Sequence, residues 1–361
     1  MTDQPASAAG TAPGGGPPAR PSGTVGPPAR PSGTVRKLTV VLLGLTAVVT
    51  LMLCAFALPS VHGGPHEVPI GVSGPHAATE ALARKLPSDE WKVTVYADKA
   101  ALTADIEDGD VSGGLVLAAD GPGIYTATAG APMATNALTA LGNGLAAEQH
   151  AKATVHELVP FTADDPRGSG FSAAALPMIF GGMFPAIILT RLFPGHAGLR
   201  VRLTGAVLFS LLAGFAVTAL LQYGTGSLDG SYALTSLGMS LGMAALSLTF
   251  IGLEALVGFG GLGAGAALMM FLGNPLSGLQ TGPHWLPDGW STFGQVLPPG
   301  ASGSLLRANG FFDGAHAAGP LAVLGAWVLL GVVLLLAADR RARGASRAGA
   351  QERATRVPAA V

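Results

Sequence analysis

The chain has 361 residues, of which 49% are hydrophobic and only 11% are charged, and its mean hydropathy is +0.48. A soluble globular protein carries about a quarter charged residues, so the composition excludes an ordinary soluble domain and indicates a membrane protein. The net charge of -1 gives no excess of Lys and Arg to follow a phosphate backbone, which argues against nucleic acid as a partner. The single cysteine, Cys54, excludes an internal disulfide framework and any multi-cysteine metal site.

The N-terminal region predicts a tail followed by a membrane helix. Residues 1–35 are dominated by Pro, Gly, Ala, Ser and Thr, a composition that cannot bury enough apolar surface to order itself, so we predict a disordered tail there. Residues 36–58 predict the first transmembrane helix, because the 21 residues of 38–58 carry no charge and would span about 31 Å. A cleaved signal peptide is the alternative, and the long preceding segment argues against it.

Residues 59–171 differ from the rest of the chain, because they carry most of its acidic residues and alternate short apolar runs with helical stretches. This alternation predicts a small α/β domain on one face of the membrane. The predicted strands lie at 68–72, 91–96, 111–118 and 124–127, and the predicted helices at 78–86, 99–107 and 134–151.

The remaining region, 172–338, predicts a membrane domain of five helices. Apolar segments lie at 172–190, 203–221, 232–253, 255–272 and 321–338, with a loop at 274–320 before the last. Glu254 is the one charged residue within 232–272 and marks the predicted turn of a tight helical hairpin there; a broken, re-entrant pair of helices is the alternative. The sequence thus predicts a mainly α membrane protein with six transmembrane helices and an extracytoplasmic α/β domain between the first two.

The distribution of basic residues predicts the orientation. If there are six spans, every cluster falls on the same side, which the positive-inside rule identifies as cytoplasmic. The clusters are Arg36 and Lys37; Arg191, Arg200 and Arg202; and Arg340, Arg341, Arg343 and Arg347. Both termini, including a basic tail at 339–361, are therefore expected in the cytoplasm, and the loop at 274–320 outside. The abundance of Ala, Gly and Arg with few Lys suggests a bacterium, and hence its cell membrane.

Motif analysis indicates no enzymatic site in the chain. A phosphate-binding loop requires a Gly-Lys pair, which is absent from the sequence, and the G-x-G-x-x-G match at 258–263 lies in an apolar run without a βαβ frame. Ser240 occupies a G-x-S-x-G match, but the last apolar segment offers no histidine as its base. The histidines lack the spacing of converging ligands, so we predict no metal site.

Glu254 is the candidate intramembrane acid, because ionisable residues at membrane depth mark functional sites. The competing interpretation places it at the interface, as a hydrated residue of the hairpin turn. The loop at 274–320 is rich in aromatic residues and is expected either to dip into the membrane edge or to form an ordinary outer loop with aromatic anchors.

The loop at 274–320 also carries a pattern of Pro, Gly and polar residues, called here the family-like motif: Asn274, Pro275, Ser277, Gly278, Pro287, Pro298 and Arg307. Through this motif the loop resembles the region before the final helix of type-2 ABC exporter permeases. The layout of one helix, a large outer domain and five helices is similar to that of the phage-infection-protein-like members of the family.

The resemblance implies a permease subunit of an ATP-driven exporter. It implies homo- or heterodimers in membrane lipid, and a separate cytoplasmic subunit that binds and hydrolyses ATP, with no cofactor in this chain. Coupling to that subunit would involve Arg191, Arg200 and Arg202, which are equally well explained as topology anchors. A membrane-anchored scaffold or binding protein of the cell envelope is the alternative function, and the sequence does not identify a substrate.

Overall fold

A computed structural model describes residues 33–195, 198–287 and 289–355. Most of the predicted disordered tail, residues 1–32, and the last part of the predicted basic tail, residues 356–361, lie outside the described residues. The chain divides into two compact units, 1–50 and 51–361. The first helix, α1 (Gly33–Val61), contains the predicted segment 36–58 and continues beyond both of its ends.

A five-stranded sheet forms the predicted α/β region, called here the sheet domain (residues 68–157). The strands are β1 (Val68–Ser73), β2 (Trp91–Tyr96), β3 (Gly113–Val116), β4 (Gly123–Thr126) and β5 (Thr154–Glu157); the helices are α2 (His76–Lys85), α3 (Lys99–Glu107) and α4 (Pro132–Glu148). In the sheet the strands have the order β2-β1-β3-β4-β5, in which β3 and β4 are antiparallel and the other neighbouring pairs are parallel. All four predicted strands and all three predicted helices are present, whereas the exposed edge strand β5 was not predicted.

The two faces of the sheet belong to two different hydrophobic clusters. Alternate residues of a strand point to opposite faces, and Ile124 and Tyr125 of β4 accordingly enter different clusters. The face of Ile124 packs with α2 and α4 into a core that is confined to the sheet domain. The face of Tyr125 packs with α3 and joins a cluster that continues to Phe171 and Met178. The sheet domain therefore shares a core with the helices that follow it.

The remaining helices form a bundle. They are α5 (Ser169–Ala173), α6 (Ala175–Leu192), α7 (Leu199–Ala219) with a π-helical turn (Leu220–Gly224), α8 (Tyr232–Val257), α9 (Phe259–Leu268) with a π-helical turn (Met269–Gly273), α10 (Trp290–Val296), α11 (Pro298–Phe311) and α12 (Ala318–Thr355). Short 3-10 helices lie at Pro275–Ser277 and Pro283–Trp285. α12 continues well beyond the predicted segment 321–338, so the described part of the predicted basic tail is helical.

Five helical stretches in the described residues are long and apolar enough to cross a membrane, which is compatible with a multi-pass membrane protein. They are Gly33–Leu58, Ser169–Leu192, Leu199–Gly224, Tyr232–Val257 and Ala318–Ala348. The predicted segment 255–272 corresponds to the shorter apolar stretch Phe259–Gly273. At 1.5 Å per residue this stretch is about 22 Å long, less than the roughly 30 Å hydrocarbon core.

The turn between α8 and α9 lies at Gly258 and not at Glu254. Gly258 has a φ of 86°, a backbone conformation that side chains rarely adopt, and it ends α8. Glu254 consequently lies in the last turn of α8. α9 then runs back along α8, because Gly261 is in close contact with the backbone of Leu253. The predicted hairpin is therefore present, one helical turn later than the sequence indicated.

α8 is the central helix of the bundle. It is the most buried of the five long helices, with 61% of its apolar 18-residue stretch buried. Four neighbours approach it closely where one member of the contact is glycine: Gly182 of α6 meets Leu246, Gly214 of α7 meets Ser240, Gly242 of α8 meets Ser302 of α11, and Gly331 of α12 meets Leu248. A second contact of each helix with α8 gives its chain direction. The helices α6 and α12 run parallel to α8, and α7 and α11 run antiparallel to it.

The loop at 274–320 enters the bundle as a helical hairpin. α10 and α11 meet at Leu297, and the Val296 carbonyl accepts a 2.8 Å hydrogen bond from Nε1 of Trp327 on α12. At the other end of α11, Nδ2 of Asn309 donates to the Leu234 carbonyl at 3.1 Å, beside the start of α8. The hairpin therefore packs against α8 and α12 inside the bundle. We call the end of the bundle at Tyr232 the sheet end, because the sheet domain contacts it, and the opposite end, at Glu254, the far end.

Two glycines of α12 test the close contact with α8. A Cβ at Gly331 would lie 2.6 Å from the Leu248 backbone carbon, whereas a Cβ at Gly325 meets nothing within 4 Å. We expect Gly331→Ala to lower the free energy of unfolding by about 1–3 kcal/mol, the usual cost of overpacking. The control Gly325→Ala should leave stability unchanged or raise it by up to about 1 kcal/mol. Unfolding in detergent measures both, and equal effects of the two substitutions would contradict the contact.

Candidate functional site

At the far end, a buried ion pair joins α7 to α8. Nη1 of Arg202 donates to Oε2 of Glu254 at 2.7 Å, and Nε of the same side chain donates to the Phe193 carbonyl at 2.7 Å. The side chain of Arg202 is only 4% exposed and that of Glu254 is 19% exposed. The pair is possible because α7 begins at Leu199, which places Arg202 inside the helix and not in the preceding loop.

Arg191 lies at the far end as well. Its guanidinium carbon is 4.6 Å from the centre of the Phe259 ring, so the last turn of α6 contacts the first residue of α9. We call Arg191, Phe193, Arg202, Glu254 and Phe259 the far-end cluster. Arg200, the third predicted coupling residue, is exposed. Of the three predicted coupling arginines, the structure thus pairs Arg202 with the candidate intramembrane acid and places Arg191 against Phe259 at the same end of the bundle.

The far-end cluster constrains how the helices can move relative to one another. A buried ion pair adds little net stability, because desolvation offsets much of the attraction, but separating the partners leaves an uncompensated charge. Arg202 is bonded both to the Phe193 carbonyl and to Glu254, so a displacement of Phe193 relative to α8 would break or strain one of these two contacts.

At the sheet end, Arg307 of α11 connects three parts of the chain. Its Nε donates to the Ala129 carbonyl at 3.0 Å, and its Nη2 donates to the carbonyls of Leu279 at 2.7 Å and Gly278 at 3.4 Å. The guanidinium carbon also lies 5.1 Å from the centre of the Phe171 ring. Arg307 is 6% exposed, and no carboxylate among the described residues lies within ion-pair distance of it.

Arg307 stays protonated at neutral pH despite this burial. Removal from water lowers the pKa of the guanidinium to about 10, which is still well above neutrality. Its partners are carbonyl dipoles and an aromatic ring, which stabilise a cation without neutralising it. The full positive charge is therefore kept in the interior.

The other motif residues form the support for Arg307. Asn274–Gly278 makes a tight turn in which the Ser277 hydroxyl donates to the Asn274 carbonyl at 2.8 Å, with Pro275 as its first helical residue. Gly278, with a φ of 64°, ends the turn and directs its carbonyl to Arg307. The other two motif residues, Pro287 and Pro298, lie at the starts of helices. Pro298 is the first residue of α11, and the Pro287 carbonyl accepts a hydrogen bond from the backbone N–H of Trp290, the first residue of α10.

Arg307 also lines a cavity of about 350 Å³, called here the sheet-end cavity. The cavity lies between the sheet domain, the 278–287 loop and α11. Its walls are mostly apolar and include Ala131, Ala134, Trp285, Phe312 and Ala315. His316 and Asp110 line its solvent-facing side. Nε2 of His316 lies 3.2 Å from Oδ1 of Asp110, and both side chains are more than half exposed.

Ser240 has a local role in the bundle. Its hydroxyl is buried and donates to the Ser236 carbonyl one helical turn earlier, at 2.7 Å. This is how a serine inside a helix usually satisfies its hydroxyl group. Among the described residues, no group of three or more His, Cys, Asp and Glu side chains could hold a metal ion.

Sequence reasoning identified Arg307 and Glu254 but not their partners. Glu254 and Arg202 are 52 residues apart, and the carbonyl of Ala129 is 178 residues from Arg307. A signal existed for the first pair, because an acid in an apolar stretch requires a partner and Arg202 borders the preceding apolar segment, 203–221. Comparison with protein-family models, with curated proteins and with solved structures finds no match to the chain.

The far-end ion pair is testable with a double-mutant cycle. We expect Arg202→Met and Glu254→Gln each to lower the free energy of unfolding by about 3–5 kcal/mol, because each leaves a polar partner buried alone. The double variant should lose much less than the sum of the two. The exposed pair Lys85–Glu148, with side chains 61% and 64% exposed, serves as the control and should contribute about 0–1 kcal/mol. Additive losses at Arg202 and Glu254 would contradict a direct coupling.

Proposed function

We propose that the chain is the membrane permease subunit of an ATP-driven, ABC-type exporter. The far-end cluster is the observation that carries the proposal. It connects Phe193, just after the end of α6, to the central helix α8 through Arg202 and its buried ion pair with Glu254. A transporter driven by a separate motor needs such a mechanical connection, because binding energy at the motor has to shift the packing of the helices.

The connection extends from the far end to the sheet end. α8 contacts α11 through Gly242 and Ser302, and α11 carries Arg307, which binds the sheet domain at Ala129. A shift of α8 would therefore change the surroundings of the sheet-end cavity. This path supports alternating access, in which motion at one end opens or closes a site at the other.

The distribution of charge supports a cytoplasmic far end. Gly252 of α8 contacts Leu334 of α12, so Arg340, Arg341 and Arg343 lie just beyond this end, where Arg191 and Arg202 are also found. Basic residues accumulate on the cytoplasmic side of membrane proteins. With no phosphate-binding loop in the sequence, ATP would be bound and hydrolysed by a partner subunit at this end.

A scaffold or binding protein of the cell envelope is the second candidate. It is favoured by the sheet-end cavity, whose size is within the range of small-molecule sites. The two functions differ in what happens at the far end, because a scaffold needs no partner there that hydrolyses ATP.

Labelling of single cysteines tests the orientation. In a Cys54→Ser background, Gly144→Cys and Gly344→Cys place a thiol at two glycines with open space around them, one in the sheet domain and one on α12. We expect a membrane-impermeant maleimide to label Gly144→Cys in intact cells and Gly344→Cys only after the cells are opened. The reverse pattern would overturn the proposed orientation, and with it the place assigned to the ATPase.

Charge reversal at the far end tests the coupling. The chain should purify with the ATPase encoded by a neighbouring gene and raise its rate of ATP hydrolysis. Arg200→Glu, at an exposed position beside the far-end cluster, should reduce this stimulation severalfold without loss of folded protein. The matched control Arg84→Glu, 72% exposed in the sheet domain, should have no effect. A chain that never joins an ATPase, yet retains its cellular function, would leave the scaffold interpretation.

A further inference from the structure

We propose that the sheet-end cavity binds a small organic monoanion, a carboxylate attached to an apolar or aromatic body, with Arg307 as its counterion. The inference concerns the chain alone and does not rest on the proposed transport function.

The first argument is the incomplete coordination of Arg307. A guanidinium has five N–H donors, and Nε and Nη2 supply the three bonds to the carbonyls of Ala129, Gly278 and Leu279. Nη1 has no acceptor among the described residues. A buried cation without a counterion is costly, and a carboxylate is the anion whose geometry suits a guanidinium. Arg307 lines the cavity, so Nη1 is the nitrogen left for a ligand there.

The second argument is a helix N-terminus at the same cavity. α4 begins at Pro132 and has no side-chain cap, since its N-cap residue is Ala131. Ala131 and Ala134, in the first turn of this 17-residue helix, line the cavity. Unpaired backbone N–H groups and the helix dipole attract anions to such an end. Ala129, which binds Arg307, lies two residues before Ala131, so the helix start and the guanidinium flank the same space.

The remaining walls define the rest of the ligand. About 350 Å³ is within the range of small-molecule sites and too small for a polymer. Ala315, Trp285 and Phe312 offer apolar and aromatic surface for a hydrocarbon body. Asp110 lies on the solvent-facing side of the cavity, where it would repel a second negative group. These features together favour a monoanion with an apolar body over a dianion or a sugar.

Binding would link three parts of the chain. The cavity is bounded by the sheet domain, the 278–287 loop and α11, so a ligand would contact all of them at once. A ligand that binds only when these three parts are in contact stabilises their arrangement by mass action.

Calorimetry on the purified full chain in detergent tests the proposal. The probes are 4-phenylbutyrate and its neutral isostere 4-phenylbutanamide, which share a shape and differ in charge. We expect saturable binding of the carboxylate and binding of the amide that is about tenfold weaker or worse, because bonds to a charged acceptor are stronger. No binding of the carboxylate, or equal binding of the two probes, would overturn the proposal.

Variants of the cavity complete the test. Ala315→Phe fills the cavity without touching the hydrogen bonds of Arg307 and should abolish binding, while the matched Ala318→Phe, at an exposed position outside the cavity lining, should not. Unchanged binding in Ala315→Phe would place the ligand elsewhere and refute the site. Arg307→Gln, if it remains folded, should bind the two probes equally. These measurements need no ATPase, so their outcome is independent of the coupling experiment.

Discussion

Close packing against α8 is the constraint on which the rest of the structure depends. In an apolar environment helices are not driven together by the hydrophobic effect, so their association relies on van der Waals contact at short range. The glycines at 182, 214, 242 and 331 permit this approach on four sides of α8. Because interdigitated surfaces have few intermediate arrangements, α8 can shift only together with its neighbours. A bundle built in this way is suited to discrete states and not to gradual deformation.

Two buried arginines stand at opposite ends of this bundle, and they differ in their counterions. Arg202 meets a carboxylate of the protein, so its charge is balanced within the chain and its effect is to couple two helices. Among the described residues, Arg307 contacts carbonyl groups and an aromatic ring but no carboxylate, so it joins the sheet domain to α11 while its charge is not neutralised. The same type of side chain therefore couples two helices at one end of the bundle and leaves an uncompensated positive charge beside a cavity at the other.

The helical hairpin of α10 and α11 extends from the sheet end into the bundle. It places a polar, glycine-rich helix, α11, beside α8, where Ser302 and Asn309 lie among apolar side chains. The residues of α11 are almost all buried, and the Asn274–Gly278 turn that precedes the hairpin is tightly hydrogen-bonded and presents the Gly278 carbonyl to Arg307. The sheet domain then closes over the hairpin through the hydrophobic cluster that contains Phe161, Phe171 and Phe311.

The sequence by itself determined the composition class, the apolar helices and the small α/β region, because hydrophobic periodicity and charge density are local properties. It also singled out Glu254, since a lone charge in an apolar stretch is visible without a structure, whereas Arg307 was named only through the family-like motif. Only the tertiary structure decided that Glu254 lies within α8 and pairs with Arg202, because the positive φ of Gly258 fixes the turn. The sheet-end cavity likewise depends on contacts between distant segments, such as Ala129 and Arg307, which are 178 residues apart, and no local pattern encodes such a contact.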